Sequence, residues 1–137
     1  MTVTTLISPA EYLVQETLAP FKSEYHDGVV IPMAGTSANH NLIVSNVHGL
    51  IFPAIDDLNF VLFMSDMRLS IPHTNLYTYA DLVVVAGEPS FPDERDDTIT
   101  NPCLIVEVLS ASTRDYDRGN TFAHYRTIPS FREYLVN

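Results

Sequence analysis

The stretch CLIVEVLSASTRDYDRG, from Cys103 to Gly119, decides how this chain is read. Leu104, Ile105 and Val106 precede Glu107, and Val108 and Leu109 follow it. A run this apolar predicts a strand buried on both faces. A carboxylate inside it is out of place. An unpaired buried charge costs on the order of several kcal/mol, so the group must become neutral, find a partner or hold a metal. Arg114 and Arg118 follow closely and offer a buried salt bridge as the plain alternative to a site. Asp81 raises the same question, because it stands directly before Leu82-Val83-Val84-Val85. Taken alone it reads equally as a turn or cap residue. If the two strands are neighbours, the carboxylates face each other a few ångströms apart. Two bare carboxylates that close repel, and one pKa rises unless a cation sits between them. Magnesium suits such a site, since it needs few carboxylates and keeps waters and phosphate oxygens. It activates water and neutralises charge developing on a phosphodiester.

The 137 residues predict a single domain, 1–137, with 46% hydrophobic residues available for a core. Seven Lys and Arg against seventeen Asp and Glu give a net charge of −10. That argues against a passive nucleic-acid coat, which carries a basic stripe, but does not exclude an enzyme that meets DNA through metal ions and one local basic patch. Cys103 is the single cysteine and reads as a small core hydrophobe. No run reaches the roughly 20 apolar residues of a membrane span, and MTVTTLISPAEYL lacks the basic start of a signal peptide. A cytoplasmic protein without membrane association is the expectation.

Around these strands the pattern alternates. Ser8, Pro9 and Glu11 form a capping signature for a helix from Pro9 to about Leu18. SEYHDGVVIPM predicts two short strands about a turn at His26-Asp27-Gly28. Leu42, Ile43, Val47, Leu50 and Ile51 have helical spacing, with a cap at Thr36 or Ser37 and Pro53 near the end. Phe60–Ile71 and YTYADLVVVAG read as strands. The following polar loop carries Asp93, Glu94, Asp96 and Asp97, expected as a solvated surface. A helix is expected near Asp115–Thr127, and FREYLV as a last strand. The fold class is therefore α/β, a mixed central sheet flanked by helices.

SEYHDGVVIPM, NHN, SDMRL, YTYADLVVVAGEP, DTITNPCLIVEVLSASTRDYDRG and HYRTIPSFREYLV together resemble the Uma-type family of nucleases, common in cyanobacteria. The resemblance runs from about Glu11 to Asn137. It implies the restriction-endonuclease-like PD-(D/E)XK fold, with Asp81 as the acid of the PD element and Glu107 as the D/E, both binding Mg2+ or Mn2+. Glu24 matches a family glutamate that completes the acidic cluster, and His40 matches a family histidine. Both are candidate catalytic residues.

Three departures qualify this. Ala80 replaces the proline of PD, and Leu109 stands where an unmodified motif has lysine. In the family pattern RGEKFxxYR the lysine comes from the next helix; here RGNTFAHYR puts Thr121 there. A hydroxyl supplies no positive charge, and Arg118 or His124, three residues either side on a helix, are the available substitutes. The family also continues past EYLV, so the resemblance implies a member without the usual C-terminal strands and helix. That shortening is expected to uncover the Val83–Val85 or Leu135–Val136 region and to favour a homodimer. The expected function is Mg-dependent hydrolysis of DNA phosphodiester bonds, weak or absent because of Thr121. The alternative is a degenerate, non-catalytic member acting as a binding or assembly module.

Overall fold

The structure, a computed structural model, describes residues 5–109 and 121–136. Helix α1 spans Pro9–Leu18; the Ser8 hydroxyl accepts from the Glu11 N–H at 3.1 Å, and Pro9 occupies a first-turn position that needs no donor. Strands β1 (Ser23–His26) and β2 (Val29–Pro32) form a hairpin. Its two turn residues, Asp27 (φ 47°) and Gly28 (φ 103°), both have positive φ, which matches the twist of a two-residue hairpin. Helix α2 spans Ala38–Ile55 with Ser37 as its cap.

The two segments read as single strands each divide. Phe60–Ile71 becomes β3 (Phe60–Met64) and β4 (Arg68–Ile71), and the YTYADLVVVAG segment becomes β5 (Leu76–Tyr79) and β6 (Leu82–Ala86). In both cases the chain passes from one sheet to the other at the break. Short β7 (Thr98–Ile99) was not expected from the polar loop. Strand β8 covers Leu104–Glu107, a four-residue helix α3 covers Phe122–Tyr125, and β9 covers Glu133–Val136. The α/β class holds, with the strands shared between two mixed sheets in the orders β2-β1-β5-β4-β7 and β3-β6-β8-β9. Each contains one parallel pair, β4–β7 and β8–β9.

One core joins the sheets: Leu69, Ile71, Val83, Val85, Ile105 and Tyr125 are essentially inaccessible. Burying a side chain of this size stabilises by roughly 1.5–3 kcal/mol. The expected exposure of Val83–Val85 is not found, because all three pack between the neighbouring strands and the core; Leu135 of β9 is exposed. Of the expected helix near Asp115–Thr127, residues 115–120 lie outside the described residues, and the helical part seen ends at Tyr125. Asp97 is not simply solvated. Arg95 Nη2 and Arg68 Nη1 approach its carboxylate at 2.9 and 3.6 Å, and these contacts hold its carboxyl below the usual range, the Arg95 bond most of all. Among the described residues no helix is long and apolar enough to cross a membrane.

A polar network fastens α1 to the first sheet. Tyr79 Oη accepts from buried Arg68 Nε at 3.0 Å and donates to Glu16 Oε2 at 2.5 Å. The same Glu16 oxygen accepts the Ser23 N–H at 2.9 Å, and Tyr12 Oη donates to Ser23 O at 2.6 Å. Tyr79→Phe removes the shared hydroxyl and leaves Arg68 Nε without that acceptor. The expected loss is about 1–3 kcal/mol of unfolding free energy, the usual cost of stranding a buried polar group. Urea denaturation with an unchanged m-value checks it.

Candidate functional site

The site follows from one register. Strands β6 and β8 pair antiparallel with Leu82 opposite Val106 and Val83 opposite Ile105. Continued by one residue, the same register sets Asp81 opposite Glu107. Directly opposed residues point to the same face, with Cβ atoms about 4.5–5.5 Å apart. The Val108 N–H, next along from Glu107, donates to Asp81 Oδ2 at 2.7 Å and fixes the aspartate against the end of β8. Asp81 lies at the break between β5 and β6, where no strand partner competes for its side chain.

The side chain of Glu107 is half-buried, and its Oε1 accepts a very short hydrogen bond from the Tyr125 hydroxyl. Burial pushes that phenol well above its ordinary pKa, and the charge and hydrogen bond of Glu107 add to the shift, followed by Tyr134 and Glu24. Tyr125 is therefore a fixed neutral donor. His40, in the first turn of α2, places Nε2 3.3 Å from Asp81 Oδ2, while Nδ1 lies 2.6 Å from the Thr36 hydroxyl. The neutral tautomer that suits both contacts accepts from Thr36 and donates to Asp81.

Glu24 sits on β1, in the other sheet. Its Oε2 accepts a very short hydrogen bond from the Thr78 hydroxyl, and His26 Nε2 lies 3.4 Å from Oε1. Thr78 is opposite Glu24 when the Tyr25–Tyr77 register is continued by one residue. The rings of His26 and His124 meet edge to face at 6.4 Å. Thus Asp81, Glu107 and His40 gather at one strand end, while Glu24 is held from the other sheet by Thr78. Glu24 is near enough for its charge to act on both Tyr125 and His124.

Among the described residues no three His, Cys, Asp or Glu side chains converge as one metal-ligand set. Magnesium, held through one or two carboxylates with water completing its shell, suits Asp81 and Glu107. Thr121 is buried at the start of α3, one turn before Tyr125, so the motif lysine position lies inside the fold beside the glutamate's partner. Arg114 and Arg118, the possible salt-bridge partners of Glu107, lie outside the described residues.

A mixed sheet carrying two opposed acids on adjacent strands, with a short helix behind them, is a restriction-endonuclease-like arrangement. The chain belongs to the Uma2 family, described as "Putative restriction endonuclease", whose profile matches residues 9–137. It is 45% identical over 133 residues to the uncharacterized protein sll1609 of Synechocystis, covering 97% of this chain and 75% of that one. It is 39% identical over 132 residues to slr1290 of the same organism, covering 95% and 67%. The crystal structure of a putative nuclease of the DUF820 group from Anabaena variabilis superposes with a TM-score of 0.66 at 20% identity, over 88% of this chain and 68% of the other; this likeness concerns the fold.

Sequence reasoning passed over Tyr125, Thr78 and His26. His26 could have been found, because Glu24 and His26 are two apart on a strand and share a face. Tyr125 lies four residues after Thr121, on the same helical face, within the quoted HYR. Thr78 carried no signal before the β1–β5 pairing was known.

His124 gives a pH test. Its Nδ1 is buried with no hydrogen-bond partner among the described residues, and burial, then His26, lowers its pKa, against the raising effect of Glu24. A histidine with a depressed folded pKa stabilises fully above its unfolded value of about 6.5, and that stability is lost as pH falls through the folded value. The melting temperature is expected to drop below about pH 6.5, and less steeply in His124→Gln. Parallel slopes for the two proteins in thermal melts across that window would refute the assignment.

Proposed function

We propose that this chain is a magnesium- or manganese-dependent endonuclease acting on DNA phosphodiester bonds, with slow turnover. The observation that carries the reading is the opposed placement of Asp81 and Glu107 at the end of the β6–β8 pair. Those two carboxylates would hold the metal, which when bound acidifies a water and shields phosphate charge. The residues around them keep the acids in place. Val108 N–H and His40 orient Asp81, and Tyr125 restrains Glu107. Glu24, held by Thr78 and flanked by His26, stands beside α3 as a second acidic group available to accept a proton. DNA is the substrate in this reading, the location is cytoplasmic, and self-association into a homodimer completes it.

A second reading, a non-catalytic binding or assembly module, is favoured by one specific feature. Thr121 provides no charge where the family pattern has lysine. Loss of one preorganised donor to a developing charge costs about 10²–10³ in rate, or roughly 2.7–4 kcal/mol. The net charge of −10 adds long-range repulsion from DNA, strongest at low salt.

Plasmid cleavage with magnesium or manganese separates the two. Weak or undetectable cleavage is expected of the unmodified chain, a gain of about tenfold or more with Thr121→Lys, and loss of that gain when Glu107→Ala is added. The circular dichroism of each variant establishes that it is folded. Absence of cleavage in both the unmodified chain and a folded Thr121→Lys variant would favour the module.

Titration with Mn2+ followed by electron paramagnetic resonance tests the metal site apart from activity. Asp81→Asn is expected to weaken binding at least tenfold, about 1.4 kcal/mol. Equal affinity for both proteins would remove the carboxylate pair from the metal site.

A further inference from the structure

The lysine and arginine side chains of the described residues divide into two sets. Lys22 pairs with Asp66, and Arg68 and Arg95 pair with Asp97. Arg126 and Arg132 are exposed and have no carboxylate partner among the described residues. Both belong to residues 121–132, a stretch without Asp or Glu. In a chain of net charge −10, a polyanion meets least repulsion there. At physiological salt the Debye length of about 8 Å confines the repulsion of the other exposed acids to their own surroundings.

An aromatic ledge occupies the same stretch. Phe122 is 41% exposed, and its ring stacks on Tyr134 with centroids 5.9 Å apart and planes 12° apart. Phe131 meets Phe122 at 64°, 6.3 Å away. Tyr134 in turn meets the buried ring of Tyr125 edge to face at 5.3 Å, and the Tyr125 hydroxyl donates to Glu107. The rings form a continuous path from the candidate site to solvent, with Phe122 at its outer end. Arg126 follows Phe122 by four residues, and its N–H bonds to the Phe122 carbonyl at 3.0 Å, so the two side chains share one face of α3. Scattered exposed apolar residues are normal. Charge separates Phe122 from the other exposed phenylalanines. Phe52 and Phe60 lie within four residues of Asp56 or Asp57, and Phe91 shortly precedes Asp93 and Glu94. Phe21 adjoins Lys22, whose ammonium Asp66 already holds. Among the described residues only Phe122 combines an exposed ring with a stacked neighbour and an unpaired arginine on its own face.

We infer that this ledge binds single-stranded DNA, with a base stacked on the Phe122 ring and a backbone phosphate paired with Arg126. Arg132, directly after Phe131, offers a second phosphate contact. Its Nη1 donates to the Pro129 and Phe131 carbonyls at 3.0 and 3.1 Å, which fixes the guanidinium without neutralising it. An aromatic ring beside an unpaired cation is the chemistry that holds an unpaired strand, since every base has a π-face and every nucleotide a phosphate. A duplex keeps its base faces stacked on one another and presents none to the ring along its length. The contact is therefore tolerant of sequence and selective for unpaired strands. It names the form of DNA that the proposed nuclease engages and rests on that reading, but it is read as binding, without metal.

The test is the fluorescence anisotropy of a labelled deoxythymidine oligomer of about 15 nucleotides, within the usual range of single-strand sites, titrated with the full chain in EDTA. Phe122→Ala is expected to weaken binding about fivefold or more, the usual loss for one stacked base. Arg126→Gln, an exposed change, is expected to weaken it as well and to flatten the slope of log affinity against log salt by about 0.7. Circular dichroism establishes that each variant is folded. The chain has no tryptophan, so Phe122→Trp introduces a single indole, whose fluorescence the oligomer should quench saturably while affinity is kept. Absence of binding by the unmodified chain overturns the inference. So do equal affinities for the unmodified chain and the Phe122→Ala and Arg126→Gln variants, or binding of a duplex of the same length as tight as that of the single strand. Binding with the expected losses, in a protein that cleaves no plasmid, would remove the nuclease reading and leave the ledge standing. Metal-dependent cleavage together with unchanged binding in both variants would do the reverse.

Discussion

The antiparallel register of β6 against β8 is the constraint on which the remaining features depend. Leu82, Val83 and Val106 are inaccessible, so neither strand can slip by one residue without turning its apolar set toward solvent. The same register fixes what lies just past the paired segment. Asp81 and Glu107 are held opposite each other because the core holds the residues beside them. The geometry of the candidate site is thus a consequence of packing. The Asp81 carboxylate adds only its own bond to the Val108 N–H.

Two carboxylates kept this close need compensation, and the kind of compensation is informative. Among the described residues the partners of Asp81 are a backbone N–H and a histidine, and those of Glu24 are a threonine hydroxyl and a histidine. Glu107 meets a buried tyrosine. By contrast, Asp97 and Asp66 take arginine or lysine. The described partners of Asp81 thus differ from those in the Arg68–Tyr79–Glu16 network, which holds an arginine.

Much of this was legible in the sequence. Ser8-Pro9 and Ser37 announced the starts of both long helices, because caps are local chemistry. The turn at Asp27-Gly28 was equally local. Glu107 stood out because its neighbours are apolar, although it lies at the strand's end, half-buried, and not in its middle. What pattern could not supply was the division of Phe60–Ile71 and YTYADLVVVAG between two sheets. Hydrophobic alternation reports a face and not the sheet to which that face belongs, so Ala80-Asp81 read as strand and not as a crossing. Two-residue β7 is too short to have a period. The placement of Glu24 on the other sheet belongs to the same class of long-range fact.

The crossing at Ala80-Asp81 also explains why proline can be dispensable there. Proline would stiffen the approach to β6 by fixing φ and removing one donor. In this chain Ala80 is buried against the core, with the β4–β5 pairing ending at Tyr79 and the β6 pairing starting at Leu82. The two residues between them are thus pinned from both sides by separate sheets, and the Asp81 side chain is further held by Val108 and His40. Rigidity that proline supplies covalently is supplied here by packing and hydrogen bonds. The charge missing at Thr121 is a different matter, because packing can fix a position but cannot create a cation. The two departures from the family pattern therefore differ in kind: Ala80 leaves the geometry intact, and Thr121 changes the charge of the position.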